Sequence, residues 1–188
     1  IYLTDSILTT QTITISSYKS DKSNNLGRVN IISQEKIQMN PAINISGIID
    51  YIPGVNVNNT TSIFSTKTVV SIHGLPTNDQ SRTLVILDGI TLNKSDLGSV
   101  NWNLINKNNI EKIKVIKGPG PAKYGSNAMG GVIEITSKKI SEKLSGEISA
   151  SYGSYNTMSL NTLISNSKKY NNNTFYYSLS GTGQRSDG

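Results

Sequence analysis

The sequence predicts an α+β domain with a mixed β-sheet and short helices, followed by antiparallel strands that each carry one apolar and one polar face. Three observations lead there. Short β-branched runs bounded by glycine, proline and asparagine recur through the first three quarters of the chain. One stripe of isoleucines at helical spacing interrupts them. Residues 144–188 then alternate between apolar and polar side chains with the period of a strand.

The elements follow in order. Residues 28–33 read as a strand, and Ser33 stands where it can cap a short helix whose first turn holds Glu35 and Lys36. A second helix is read over 44–51, where Ile45, Ile48, Ile49 and Ile52 fall at i, i+3, i+4 and i+7 and Pro53-Gly54 stops the run. Strands at 55–58, 68–73, 83–87, 110–117 and 132–135 are expected to build one mixed sheet. Asp88-Gly89, between Leu87 and Ile90, is a hairpin turn pair because both residue types tolerate positive φ. The polar stretches 59–66 and 93–103 read as loops.

In the C-terminal part, Leu144, Gly146, Ile148, Ala150 and Tyr152 alternate with Ser145, Glu147, Ser149 and Ser151. After a Gly153-Ser154-Tyr155 turn, Met158, Leu160, Thr162 and Ile164 alternate with Thr157, Ser159 and Asn161. A polar loop is expected at 166–173, and Phe175, Tyr177, Leu179 and Gly181 then alternate with Tyr176, Ser178 and Ser180. Two-faced strands of about ten residues suit either a half-buried antiparallel sheet or the wall of a membrane β-barrel, and periodicity alone does not separate the two.

The most informative segment is 110–138, strand, glycine-rich connector, strand. It is not a phosphate loop: Gly120 and Gly125 have the Walker spacing, but Ser126 stands where the lysine belongs, and Lys123 stands where a dinucleotide fingerprint needs its third glycine. What it resembles is the signature ending the plug domain of TonB-dependent outer-membrane receptors, carried by Ile110, Glu111, Ile113, Val115, Lys117, Gly118, Pro119, Tyr124, Gly125, Gly130, Gly131, Val132, Ile133 and Ile135. Two further stretches are similar to that family in the right order: Pro53-Gly54-Val55 with Val57, and Ile72-His73-Gly74 followed by Val85 to Ile90 with its Asp88-Gly89. The resemblance covers most of the chain.

It implies a linker over 1–25 with a candidate TonB box, a plug over 26–140 and the first strands of a barrel over 141–188. A plugged barrel of this class has about 22 strands, so the chain reads as a piece of a longer protein. Gln11, Thr12, Ile13, Thr14, Ile15, Ser16 and Ser17 resemble the box, a peptide able to add as a strand to the edge of a partner's sheet; an ordinary first strand of the domain is the alternative. The family's outward loops contact ligand, which nominates Ser62, Ile63, Phe64, Ser95, Asp96 and Trp102; solvated connectors are the plainer alternative for each, and a core anchor is a further one for Trp102. His73 and Lys117 stand where the family usually has arginines that lock the plug to glutamates of the wall; lysine lacks the bidentate fork and histidine carries less than a full charge near neutral pH, so the lock is expected to be weaker here. His73 packed beside Gly74 is the plainer alternative. Gly118, Gly125, Gly130 and Gly131 are structural candidates, with Gly125 or Gly130 expected in a conformation closed to other residues.

Composition limits the rivals. The 188 residues hold no cysteine and a single histidine, so neither a thiolate nor a multi-histidine metal site is available, and no cofactor is expected. The net charge of +6 comes from scattered lysines without a nucleic-acid-binding motif. No nucleophile, base and orienting group stand in a catalytic arrangement, so no enzyme is expected. There is no run of 18 apolar residues for a membrane helix. The resemblance implies an energy-coupled uptake receptor in a Gram-negative outer membrane, its N-terminus toward the periplasm, its partners TonB with the inner-membrane energising complex, outer-membrane lipid and a nutrient ligand. Lys117-Gly118-Pro119 looks like the iron-complex (siderophore or haem) and cobalamin branch. A glycan or peptide importer of the same superfamily and a non-transporting adhesin are the alternatives.

Overall fold

The computed structural model describes residues 28–59, 68–74, 82–95, 98–118, 124–171 and 173–187. Five strands form the central sheet in the order β1-β6-β7-β4-β5: β1 (Arg28–Ser33), β4 (Thr83–Leu87), β5 (Ile90–Thr91), β6 (Ile110–Lys117) and β7 (Gly131–Ser137). It is a mixed sheet because β4 and β7 run parallel while the other neighbours are antiparallel. Asp88 (φ 49) and Gly89 (φ 85) both take positive φ and close the β4–β5 hairpin, the geometry that turn requires.

Two short helices, α1 (Gln34–Met39) and α2 (Ile45–Asp50), cover one face of this sheet. The isoleucine stripe of α2 is buried throughout, and Asn44 caps the helix by accepting from the Gly47 N–H at 2.9 Å. Ser33 occupies the capping position of α1, but its side chain makes no cap bond. A further difference from the sequence reading concerns β2 (Val55–Asn59) and β3 (Thr68–Ile72), which pair only with each other. Pro53-Gly54 turns the chain straight out of α2, so β2 stays on the helical layer, and the bond from His73 N to Gly54 O, 2.8 Å, closes the base of this hairpin. His73 itself lies past the end of β3, at φ 60.

The main core lies between the helical layer and the sheet, joining Ile37, Ile45, Ile48, Ile49, Val70, Ile72, Val85, Trp102, Ile113, Val115, Ile133 and Ile135. Ile110 and Ile113 share that core although three residues apart in a strand, because the ladder shifts register between Ile110 and Lys112. Leu84, Ile116, Ala128 and Val132 form a smaller cluster on the other face.

Three long antiparallel strands follow: β8 (Ser145–Gly153), β9 (Thr157–Tyr170) and β10 (Asn173–Arg185), in the order β10-β9-β8. Along β9, Thr157, Ser159, Asn161 and Ser165 are buried, whereas Met158, Leu160 and Ile164 are about half exposed. Polar residues thus face the first domain, with Leu163 the one apolar residue among them on β9, and the other apolar residues face away. The loop expected at 166–173 is mostly strand: Asn166 pairs with Tyr177 and Lys168 with Phe175, and the turn is confined to the residues after Tyr170. Polarity there marks strands extending beyond their apolar band, since backbone pairing continues whatever the side chain. No helix among the described residues is long and apolar enough to cross a membrane, which leaves strands untouched by the statement.

Candidate functional site

His73 and Lys117, far apart in sequence, converge on Pro53-Gly54. Lys117 is 7% exposed, and its ammonium donates to the Pro53 carbonyl oxygen. A Cβ built on Gly54 would lie 3.9 Å from Lys117 Nζ and 4.0 Å from His73 Cδ2, so the imidazole and the ammonium flank one glycine. His73 is exposed. Among the described residues the neutral carbonyl is the partner of this nearly buried cation, and a carboxylate would satisfy it better.

Glycines make the connector between β6 and β7 possible. Gly131 has φ 153, and a Cβ there would stand 2.5 Å from Ile116 O and 2.7 Å from Ile72 Cδ1, inside both van der Waals envelopes. Gly125 also has positive φ, at 91, but open space around it. Gly130 does not take positive φ: its N–H donates to Arg82 O at 2.8 Å and its carbonyl accepts from Gly118 N at 3.3 Å, so the conformational constraint falls on its neighbour and on Gly118, at φ 116. At the end of the connector Tyr124 donates its hydroxyl hydrogen to Glu134 Oε1 at 2.8 Å, and Glu134 also pairs with Lys114 at 3.3 Å. This bracket gives the signature tyrosine a physical task, tying the loop to β7.

Of the nominated ligand contacts, Ser95 is exposed beside the 93–98 turn. Trp102 is 1% exposed and belongs to the main core, so it is an anchor and offers no surface to a ligand; its indole N–H has no hydrogen-bond partner among the described residues. Ser62, Ile63, Phe64 and Asp96 lie outside the described residues, as do Gln11 to Ser17.

Several residues that position this region carried no weight in the sequence reading. Asn93 accepts from Val85 N at 2.7 Å and donates to Thr83 O at 3.0 Å and Gly98 O at 2.9 Å, so one side chain imitates a stretch of strand beside β4 and fixes the loop that bears Ser95. Asn101 and Asn106 each accept from the N–H two residues on and open a single-turn 3-10 helix, at Trp102–Leu104 and Lys107–Asn109. The repeated Asn-x-Asn was the available signal.

The second of these turns meets the long strands. Asn108 Nδ2 donates to Ser149 Oγ at 2.8 Å, and Asn106 Nδ2 makes a longer bond, 3.5 Å, to Thr162 O. Lys138 pairs with Glu147 at 2.8 Å where the first domain leads into β8. Lys107 turns the other way, donating to Asn40 O at 2.6 Å and Ala42 O at 3.1 Å, and burial lowers its proton affinity below the ordinary lysine value.

Comparison with known proteins identifies the family of the domain. A family described as "TonB-dependent Receptor Plug Domain" matches residues 21–132. The chain is 28% identical to a vitamin B12 transporter, BtuB, of Vibrio vulnificus over 151 residues, 80% of this chain and 24% of that protein. It is 31% identical to the ferric enterobactin receptor PirA of Pseudomonas aeruginosa over 133 residues, 64% of this chain and 18% of the relative. Among solved structures, the siderophore receptor PirA from P. aeruginosa superposes with a TM-score of 0.60 at 26% identity, over 88% of this chain and 30% of that one. The ferric yersiniabactin uptake receptor FyuA from Yersinia pestis reaches 0.64 at 17% identity over 85% of this chain and 24% of its own, a likeness of fold alone. The chain therefore spans between 18% and 30% of the length of these relatives, and it belongs to the family of TonB-dependent receptor plug domains.

Proposed function

We propose that this chain is the plug, with the first wall strands, of an energy-coupled uptake receptor in a Gram-negative outer membrane. The observation that carries the reading is the polarity of β8 and β9: apart from Leu163, the side chains facing the plug are polar, and Ile148, Tyr152, Met158, Leu160 and Ile164 face outward, the reverse of a sheet built to cover an apolar core. A wall of that kind presents its apolar band to membrane lipid. The nutrient is a scarce iron complex, siderophore or haem, or a cobalamin, in keeping with relatives named as a vitamin B12 transporter and a ferric enterobactin receptor.

In this reading the N-terminus faces the periplasm, Gln11 to Ser17 adds as a strand to TonB, and TonB delivers the work of its inner-membrane complex through that contact. Ser62, Ile63, Phe64, Ser95 and Asp96 remain the proposed ligand contacts. His73 and Lys117 are proposed to lock the plug, and the near burial of Lys117, with only a carbonyl as its partner among the described residues, supports a carboxylate partner on the wall. The test is Ile13→Pro, which removes a backbone donor from the box and misdirects the chain. Cells carrying it should bind ligand at their surface as well as before and fail to take it up; uptake at the ordinary rate overturns the assignment of the box.

A further inference from the structure

A cavity of about 350 Å³ lies between the plug and strands β8 and β9. Asn40, Lys107 and Asn108 line it from the plug side, and Glu147, Ser149 and Asn161 from the wall. Space of that size with so many polar partners holds water. The seam between the two regions is thus polar and wet, in contrast to the close-packed isoleucine core a layer away.

The turn Lys107–Asn109 spans this seam in two directions. Asn108 and Asn106 fasten it to Ser149 and Thr162 of the wall, while Lys107 reaches back across the cavity rim to hold the connector between α1 and α2 by the carbonyls of Asn40 and Ala42. Pro41, between those two carbonyls, has no N–H; the connector's own bonds, Asn40 N to Lys36 O at 3.2 Å and Ala42 N to Asn40 Oδ1 at 2.9 Å, leave both carbonyls to Lys107. The ammonium is partly desolvated there, and the two carbonyl acceptors offset that cost.

We propose that Lys107 is a latch between plug and wall: while it holds the two connector carbonyls the connector stays drawn against one side of the half-open cavity, and when it lets go residues 40–42 loosen and the cavity widens to solvent. This rests on the reading of the chain as a plug inside a wall, and it names a residue that regulates access along one side of that plug. Lys107 acts through the connector and is a positioning residue.

The chain has no native cysteine, so single reporters can be placed in it cleanly. Ala42→Cys reports from the connector and Asn161→Cys from the wall side of the cavity; Thr136→Cys, half-buried on β7 and away from the cavity, is the control. The full chain in detergent is treated with a small water-soluble maleimide in three backgrounds: unaltered, Lys107→Met and Lys107→Arg. Loss of two charge-assisted bonds should raise labelling about tenfold at both Ala42→Cys and Asn161→Cys in Lys107→Met, with no change at Thr136→Cys and recovery toward the original rate in Lys107→Arg. Unchanged rates overturn the latch. So does a rise confined to Ala42→Cys, which marks an ordinary helix-end cap, and so does an equal rise at Thr136→Cys, which marks general loosening. Uptake is not read, so the latch and the energy-coupled import of the Ile13→Pro experiment stand or fall separately.

Discussion

The plug sheet and the wall strands are both β-structure from one chain, yet they treat apolar side chains in opposite ways. In β6 and β7, Ile113, Val115, Ile133 and Ile135 are withdrawn from solvent and packed under two helices. In β8 to β10, Ile148, Leu160, Ile164 and Leu179 stand outward, and on β9 Ser159, Asn161 and Ser165 take the inner side with Leu163. The first arrangement is a domain that stabilises itself in water; the second has a favourable free energy only when something apolar covers it. The lesson is that alternation shows a strand has two faces but not which face is inside.

The sharpest way to break the contrast is to separate the two regions. Ending the chain after Lys139 removes the outward apolar residues of β8 to β10 and the open edges of the three-stranded sheet, so the product should be a soluble monomer in plain buffer. The 188-residue chain should aggregate there and need detergent. Size-exclusion chromatography of both reads the difference, and a monomeric full chain without detergent would erase the proposed distinction.

Next in size is a pair of glycine substitutions. Gly131→Val drives a Cβ into Ile116 O and Ile72 Cδ1 at an unfavourable φ, and should cost more than about 4 kcal/mol of plug stability or prevent folding. Gly183→Val on β10 has nothing within 4 Å of its Cβ and should change stability by less than about 1 kcal/mol. Denaturant midpoints in detergent compare them directly. Similar losses at both sites would mean the wall strands are as tightly packed as the plug.

These cases also show what was legible beforehand. The Ile45, Ile48, Ile49, Ile52 stripe and the Asp88-Gly89 turn could be read because each is a local pattern with a local cause. Which of two adjacent glycines is constrained could not, since the clash at Gly131 comes from Ile116 and Ile72, brought in by strand pairing. Lys107 was illegible for a similar reason: its acceptors are backbone carbonyls 65 and 67 residues upstream, and a carbonyl carries no residue identity. The separate β2–β3 pair was missed because the strands look alike in sequence wherever they pair.

The smallest effect expected is on the pH dependence of plug stability. Burial lets Lys107 lose its proton more readily in the folded state than the ordinary value of 10.5 would. In the alkaline range just below 10.5 the unfolded chain therefore binds more protons than the folded one, and this group makes stability rise with pH there. Lys107→Met should flatten that rise in denaturant midpoints; an unchanged pH slope would mean Lys107 is hydrated in solution.

The orientation of the wall decides the account. Cysteines placed singly from 157 to 165 in the whole protein, in its native membrane, can be given a fluorophore and read with a quencher confined to lipid tails. Quenching should alternate, strong at 158, 160, 162 and 164 and weak at 157, 159, 161, 163 and 165. Quenching without a period of two, or with the two sets exchanged, would contradict a wall that turns its polar side to the plug and its apolar side to lipid.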